Sequence, residues 1–280
     1  MRISILCVSV MLVLIACQPA GKNQTKGKLF IIGGGKKPKE LVERMMNESG
    51  LHNGGYAVIL PMSSEEPDSS VFYASKMFTD NNIDKVGALN FNTQMTADKA
   101  LIDSVRNAKM LYIPGGDQNK FMAVVKNTPL YQAMHEAYCK GALIGGTSAG
   151  AAVMSRKMIT GNEKKYPVYT GDYRTIEANN IEIGEGMGFV DKIIVDQHFV
   201  KRMRMNRLIA TAIENPEYLC VGIDETTALL INNDSVEIVG ASHVLTLKAD
   251  PEHVQSNNGL LSGKNLQLNV YTPGMKFKLP

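Results

Sequence analysis

From Leu29 to Gly150 the chain switches repeatedly between short apolar runs and amphipathic stretches of helix length, and this alternation constrains the fold more than any other feature. Leu29-Phe30-Ile31-Ile32 is apolar on both faces of an extended chain and ends in Gly33-Gly34-Gly35, which predicts a buried strand and a tight turn. Residues 38–49 place Leu41, Met45 and Met46 at helical spacing. The pattern repeats as strands over 56–61, 85–91, 110–114 and 142–145, with helices over 69–80, 97–107 and 129–139. Strands alternating with helices through short joints predict an α/β fold, a mostly parallel central sheet covered by helices on both faces.

After about residue 218 the texture changes. Apolar stretches at 220–223, 228–231, 236–239, 244–247 and 266–270 lie close together, separated by Asn, Asp and Gly turns. These predict C-terminal antiparallel hairpins at the edge of the sheet and not a second domain. The 280 residues are 44% hydrophobic and 20% charged, which excludes a disordered chain. Thirty Lys+Arg against 27 Asp+Glu give a net charge of +3, too small an excess for a dedicated nucleic-acid binder.

The first 16 residues read as an address. One arginine precedes an apolar run over 3–16, too short to span a bilayer and the right length for a secretory signal. It ends in Leu14-Ile15-Ala16-Cys17, which resembles the lipobox of bacterial lipoproteins with Cys17 as the lipidated residue. The expected organisation is a signal over 1–16, a tether over 17–27 and one domain over 28–280, exported and held at a bacterial membrane only by the lipid. Of the four cysteines, Cys139 and Cys220 would then remain in the domain, and neither has a metal-ligand partner near it in sequence.

Ligands of such sheets bind beyond the carboxyl ends of the strands, and four segments end there in reactive residues. Gly146-Thr147-Ser148-Ala149-Gly150 is a G-x-S-x-G turn between an apolar strand and a small-residue helix start. That is the setting of a nucleophile elbow, with the amide of Ala149 as an oxyanion donor. Asp196-Gln197-His198-Phe199 follows a strand and offers an imidazole base. Gly222-Ile223-Asp224-Glu225 offers two acids that cannot both point the same way from extended chain. Pro114-Gly115-Gly116-Asp117-Gln118 adds glycine amides for a second oxyanion donor, at Gly116, and Gln118 for a substrate amide. Lys201, Arg202, Arg204 and Arg207 crowd four cations into seven residues directly after His198, suited to gripping carboxylates.

Taken in their order along the chain, the four segments resemble the cyanophycinase and peptidase E group of serine peptidases, over most of the chain from about Lys28 onward. The resemblance implies the three-layer α/β sandwich shared with class I glutamine amidotransferases, serine replacing their cysteine. It makes Ser148 the nucleophile, His198 the base and Glu225 the third member, with Glu163 as the other candidate acid. It also assigns Gln118, Asp196, Gln197, Arg202, Arg204 and Arg207 to the substrate pocket, with Asp172 or Glu177 available for an arginine side chain. The implied reaction is hydrolysis, without cofactor or metal, of an acidic peptide or of cyanophycin, a poly-aspartate chain carrying arginine on each β-carboxyl. Three other readings are compatible with parts of the sequence: an α-aspartyl dipeptidase, an α/β-hydrolase esterase, and a surface lipoprotein that binds without catalysis. A homodimer is compatible as well. Residues 161–173, polar and containing Pro167, are expected to form a mobile loop.

Overall fold

The apolar runs become strands where both faces can be covered, and the amphipathic stretches become helices on those faces. The computed structural model describes residues 27–168, 170 and 173–280. The signal, the Cys17 lipid site, all of the tether but Gly27, and Asp172 lie outside the described residues. In chain order the elements are β1 (Lys28–Ile32), α1 (Lys39–Ser49), β2 (Ala57–Ile59), α2 (Pro67–Thr79), β3 (Val86–Ala88), α3 (Lys99–Arg106), β4 (Met110–Ile113), α4 (Gln118–Val125), α5 (Pro129–Cys139), β5 (Leu143–Thr147) and α6 (Ala149–Ala152). They continue with β6 (Lys157–Glu163), β7 (Ile181–Glu185), β8 (Ile193–Gln197), α7 (Met205–Glu214), β9 (Leu219–Ile223), β10 (Thr227–Asn232), β11 (Ser235–Gly240), β12 (Val244–Lys248), β13 (Val254–Asn257), β14 (Leu260–Gly263), β15 (Gln267–Tyr271) and β16 (Lys276–Lys278).

The main sheet has eight strands in the order β16-β11-β10-β1-β5-β4-β2-β3. Its β1-β5-β4-β2-β3 half is parallel, and β10, β11 and β16 run antiparallel at the other side. Alternate residues of β1 face opposite layers. Phe30 and Ile32 pack with Met45, Met46 and Phe78 of α1 and α2, whereas Leu29 and Ile31 join the core shared with α3, α4 and α5. Helix starts follow local chemistry: Asp98 and Asp117 accept from backbone amides at the starts of α3 and α4, and Pro67 and Pro129 open α2 and α5.

The C-terminal strands do not all extend one edge. β10, β11 and β16 complete the main sheet, but β9, β12 and β15 join β8 in a second sheet ordered β15-β12-β9-β8. Ile193, Val195, Val221 and Ile223 of that sheet pack into the core on the face away from α1 and α2, and Leu208 and Ala212 of α7 cover its far side. Adjacent hairpins therefore part company, because each apolar stretch is buried by whichever layer lies over it.

Pairing register sets the site. β1 pairs with β5 on one side, Ile32 opposite Thr147, and with β10 on the other, Ile32 opposite Ala228. β8 runs parallel to β9 with Gln197 opposite Ile223. The residues that come next, Gly33, Ser148, His198 and Asp224-Glu225, therefore emerge at neighbouring strand ends.

Candidate active site

Ser148 ends β5 at φ +55°, ψ −111°, a conformation that L residues rarely adopt. Glycines allow so sharp a turn: a Cβ on Gly146 would strike the carbonyl of Gly150, and one on Gly150 would strike that of Ile113. The amide of Ser148 donates to the carbonyl of Ile32 at 3.1 Å, which ties the elbow to β1.

His198 leaves β8 with φ +50°. Its Nε2 lies 2.9 Å from Ser148 Oγ and its Nδ1 lies 2.6 Å from Glu225 Oε1. A carboxylate only accepts, so Nδ1 carries the hydrogen and Nε2 is left to accept from the serine hydroxyl. Burial holds the imidazole below its ordinary pKa, and the charges of Arg202 and Arg204 push the same way, while Glu225 opposes them through its hydrogen bond and charge. These surroundings favour the neutral ring, the state in which it can take a proton.

The adjacent acids divide as extended chain requires. Asp224 turns inward, its oxygens accepting from the amide of Lys201 at 2.9 Å and the hydroxyl of Ser242 at 2.6 Å, while Glu225 faces His198. Glu163 lies on the β6–β7 hairpin, bonded to Asn180 at 2.6 Å and with no bond to His198.

One part of this arrangement is not legible from the motifs. Gly33-Gly34-Gly35, predicted only as a turn, is the seat of the relay. The carbonyl of Gly33 accepts from the His198 amide at 2.8 Å, and that of Gly34 accepts from Thr226 at 3.0 Å. A Cβ on Gly34 would lie against the imidazole, and one on Gly35 would sit 2.6 Å from Glu225 Oε2. The triple glycine was the available signal, but only the folded position of His198 and Glu225 explains it. Ten described non-glycine residues have positive φ, six of them asparagines, which tolerate it. The other four, Ser148, His198, Met203 and Thr226, belong to the elbow and the segments around His198 and Glu225. Strain of this kind collects where side chains are held in fixed directions.

Gly115 and Gly116 lie beside the elbow. A Cβ on Gly115 would stand 3.8 Å from Ser148 Oγ, and Gly116, at φ +135°, fits so closely under Ser63 that a Cβ would meet its carbonyl. The Gly116 amide makes no hydrogen bond among the described residues, and Ala149 opens α6 directly after the serine. Gln118 is buried, its amide nitrogen donating to the carbonyls of Ile159 and Thr160 at 2.9 and 2.6 Å, so it anchors the base of the β6–β7 hairpin.

The cations after His198 do not share one environment. The helix begins only at Met205, so Arg202 sits in the preceding turn, exposed, its amide bonded to the His198 carbonyl at 2.9 Å. Arg204 is buried, its Nη1 donating to the carbonyl and Oε1 of Gln197 at 2.7 and 2.6 Å. Arg207 is 1% exposed and grips Asp196 with two nitrogens, Nε at 2.8 Å, while its guanidinium stands 4.4 Å from the Tyr173 ring centre and donates to the Tyr173 hydroxyl. Burial would weaken that guanidinium as a cation, and the Asp196 charge more than offsets it. Asp196 and Arg207 thus answer each other inside the protein. Glu177 is bonded to Lys165 and Tyr166 at the surface. Gly161 to Glu163 complete β6 instead of opening a loop. Among the described residues no group of three His, Cys, Asp or Glu side chains could hold a metal ion.

Comparison with known proteins shows the family. The chain is 29% identical over 268 residues to the cyanophycinase of a Nostoc species, covering 91% of this chain and 86% of that one. It is 27% identical to the cyanophycinase of Geminocystis herdmanii, over 91% and 95%. Two solved structures share the fold. A peptidase from an acI-B1 actinobacterium has TM-score 0.64 and 22% identity, with 91% of this chain and 98% of that one covered. A putative peptidase E from Listeria monocytogenes has TM-score 0.54 and 18% identity, with coverage of 78% and 100%. The model of peptidase family S51 matches residues 29–239. The chain belongs to peptidase family S51 and is a serine-type peptidase.

Proposed function

We propose that Ser148, His198 and Glu225 form the catalytic triad of an enzyme that hydrolyses cyanophycin or related aspartyl peptides to β-Asp-Arg dipeptides. The observation that carries this reading is the relay of 2.9 and 2.6 Å from serine through imidazole to carboxylate. His198 Nε2 takes the hydroxyl proton as Ser148 Oγ adds to the aspartyl carbonyl carbon. The carbonyl oxygen becomes an oxyanion and accepts from the amides of Gly116 and Ala149. The imidazolium, held by Glu225, returns its proton to the amine nitrogen as the C–N bond breaks. Water then repeats the sequence on the acyl ester, releasing the acid and restoring Ser148. Arg202, exposed beside the imidazole, is the cation of the cluster best placed to meet a substrate carboxylate. Gln197 and Arg204 shape the same wall, Gln118 steadies the opposite one, and the Asp196–Arg207 pair positions them from beneath. The cyanophycinase relatives and the cationic surroundings support an acidic β-linked substrate over a neutral one.

The test is mass spectrometry of products after incubation with cyanophycin, beside a panel of Asp-X dipeptides. Release of β-Asp-Arg supports the reading, and cleavage of Asp-X alone favours the α-aspartyl dipeptidase. Ser148→Ala should lower kcat by at least about 10⁴-fold while the protein stays folded. Unchanged hydrolysis in that variant overturns the triad.

The leader supports a location. Residues 1–16 act as an export signal and Cys17 carries the lipid that holds the domain, through the 17–27 tether, at the bacterial envelope. A diacylglyceryl mass on an N-terminal peptide beginning at Cys17, lost in Cys17→Ala, is the expected result. A homodimer is proposed on the same footing, to be read by light scattering.

A further inference from the structure

A cleft of about 630 Å³ opens beside the elbow on the α1/α2 face of the main sheet, the face opposite the one that the His198 sheet packs against. That volume is in the range of small-molecule sites. Gly115 and Thr147, which flank Ser148, form its inner end, and Tyr73 lines its outer part. Three lysines line it, and two are answered: Lys39 by Glu43 at 3.4 Å and Lys76 by Asp80 at 2.7 Å. Lys37 is half-buried and makes no ion pair among the described residues. Asp80 is the one acid in the lining, and Lys76 holds it.

Lys37 is also tied to the relay by the chain. It lies two residues after Gly35, which packs on Glu225, and immediately before Pro38, the residue at φ −56°, ψ 152° that precedes α1. A residue before proline is confined to extended conformations, so the loop cannot coil into the helix and draw the lysine away. A partly desolvated ammonium with no carboxylate near it is unfavourable, and burial lowers its pKa accordingly. An incoming anion would remove that cost.

We propose that Lys37 is a specificity-determining residue, its ammonium receiving a carboxylate of the bound substrate on the α1/α2 side of Ser148. The proposal rests on Ser148 being the nucleophile. In a β-Asp-Arg substrate the carboxylate has two sources, the backbone C-terminus and the arginyl α-carboxyl, and both present the same chemistry.

The experiment uses the β-Asp-Arg dimer, or an Asp-Leu dipeptide if that is cleaved faster, with each carboxylate converted singly to a carboxamide. In the wild type, amidating the carboxylate that Lys37 receives should lower kcat/KM about 30-fold, as expected for a charge-assisted contact. In Lys37→Met the same amidation should cost less than about 3-fold, and Lys37→Arg should restore the discrimination. The amide that shows this loss names the source. A Lys36→Met control should keep the wild-type discrimination. If no amide is penalised in the wild type, or if Lys37→Met keeps the full penalty, the proposal is overturned. Fluorophosphonate labelling separates the two layers of inference. A wild-type protein that takes no label at Ser148 refutes the nucleophile itself, whereas a labelled protein with unaltered amide penalties in Lys37→Met refutes only the role of Lys37.

Discussion

Two groups of cations flank Ser148, and they differ in what answers their charge. On the side of the second sheet, Arg204 and Arg207 are buried against Gln197, Asp196 and Tyr173, and the neighbouring Asp224 is satisfied by the backbone amide of Lys201 and the hydroxyl of Ser242. On the α1/α2 side, Lys37 stands in a cleft whose only lining acid is engaged by another lysine. Both groups are positive: Arg204 bonds Gln197, next to His198, and Lys37 lines a cleft that Gly115 and Thr147 also line. A charge answered within the protein holds structure together, and a charge left unanswered in a cleft is available to a ligand. Substitutions of the enclosed Arg204 and Arg207 should therefore disturb the fold or the relay, and substitution of Lys37 should change only which substrate is preferred; Arg202, exposed on the first side, belongs with Lys37 in this respect.

The sharpest test on the matched side is the relay itself. Glu225→Gln keeps the shape but lets an amide meet His198 Nδ1, favouring the wrong tautomer, and kcat should fall about 10⁴-fold. Its neighbour gives the contrast. Asp224→Asn leaves the His198 contact in place, so it should lower the unfolding midpoint in urea with a far smaller loss of kcat. Equal kinetic losses in the two variants would dissolve the distinction between the acids.

Next comes the buried pair. Arg207→Ala leaves the buried Asp196 carboxylate with only the longer Arg204 contact of 3.6 Å and should cost about 3 kcal/mol of stability by urea denaturation. Lys37→Met should change that stability by less than about 0.5 kcal/mol. A similar cost at both positions would erase the comparison between the two flanks.

The parts of the molecule that were legible in the sequence are those that depend on local pattern. Leu29-Phe30-Ile31-Ile32 and Met110–Ile113 are apolar at every position, and they do lie in the interior of the main sheet. The G-x-S-x-G turn needs no distant partner to be recognised, and the structure brings it together with His198 and Glu225. Periodicity could not say that residues 219–223 pair with β8 while residues 227–232 pair with β1, since both stretches are short, apolar and bounded by turns. It could not choose between Asp224 and Glu225 either; only the family resemblance favoured Glu225, and the 2.6 Å contact supplies the physical reason. The arginines after His198 read as one cluster because sequence shows charge and spacing but not burial, which separates exposed Arg202 from enclosed Arg207. Lys37 sits in a Lys-Lys-Pro-Lys run, where nothing in the sequence marks one lysine as lining a cleft.

Gly34 links the two flanks, since its loop carries Lys37 on one side and seats His198 on the other. Gly34→Ala would press a methyl group on the imidazole and should lower kcat/KM about 100-fold by displacing the base. Gly54, at φ +98°, supplies the control: a Cβ there meets nothing within 4 Å, so Gly54→Ala tests backbone strain alone and should leave the kinetics unaltered. If both variants lose activity alike, backbone strain and not the seat of His198 is responsible.

The smallest effect concerns pH, and its sign follows from the groups around His198. Burial, then Arg202 and Arg204, depress the imidazole pKa below the ordinary 6.5, against the pull of Glu225. The base works only when neutral, so kcat/KM should rise with pH through that lowered value. At pH 6.5 more than about half of the plateau should therefore remain. Arg202→Gln removes an exposed contributor, so the acidic limb should move to higher pH by a fraction of a unit. Added salt should do part of the same in the wild type, because an exposed charge is screened and a buried one is not. Burial is the larger cause and survives both changes, so the limb should stay below pH 6.5. A wild-type limb above that value would mean that His198 is not the base, or that the matched flank holds it as a cation.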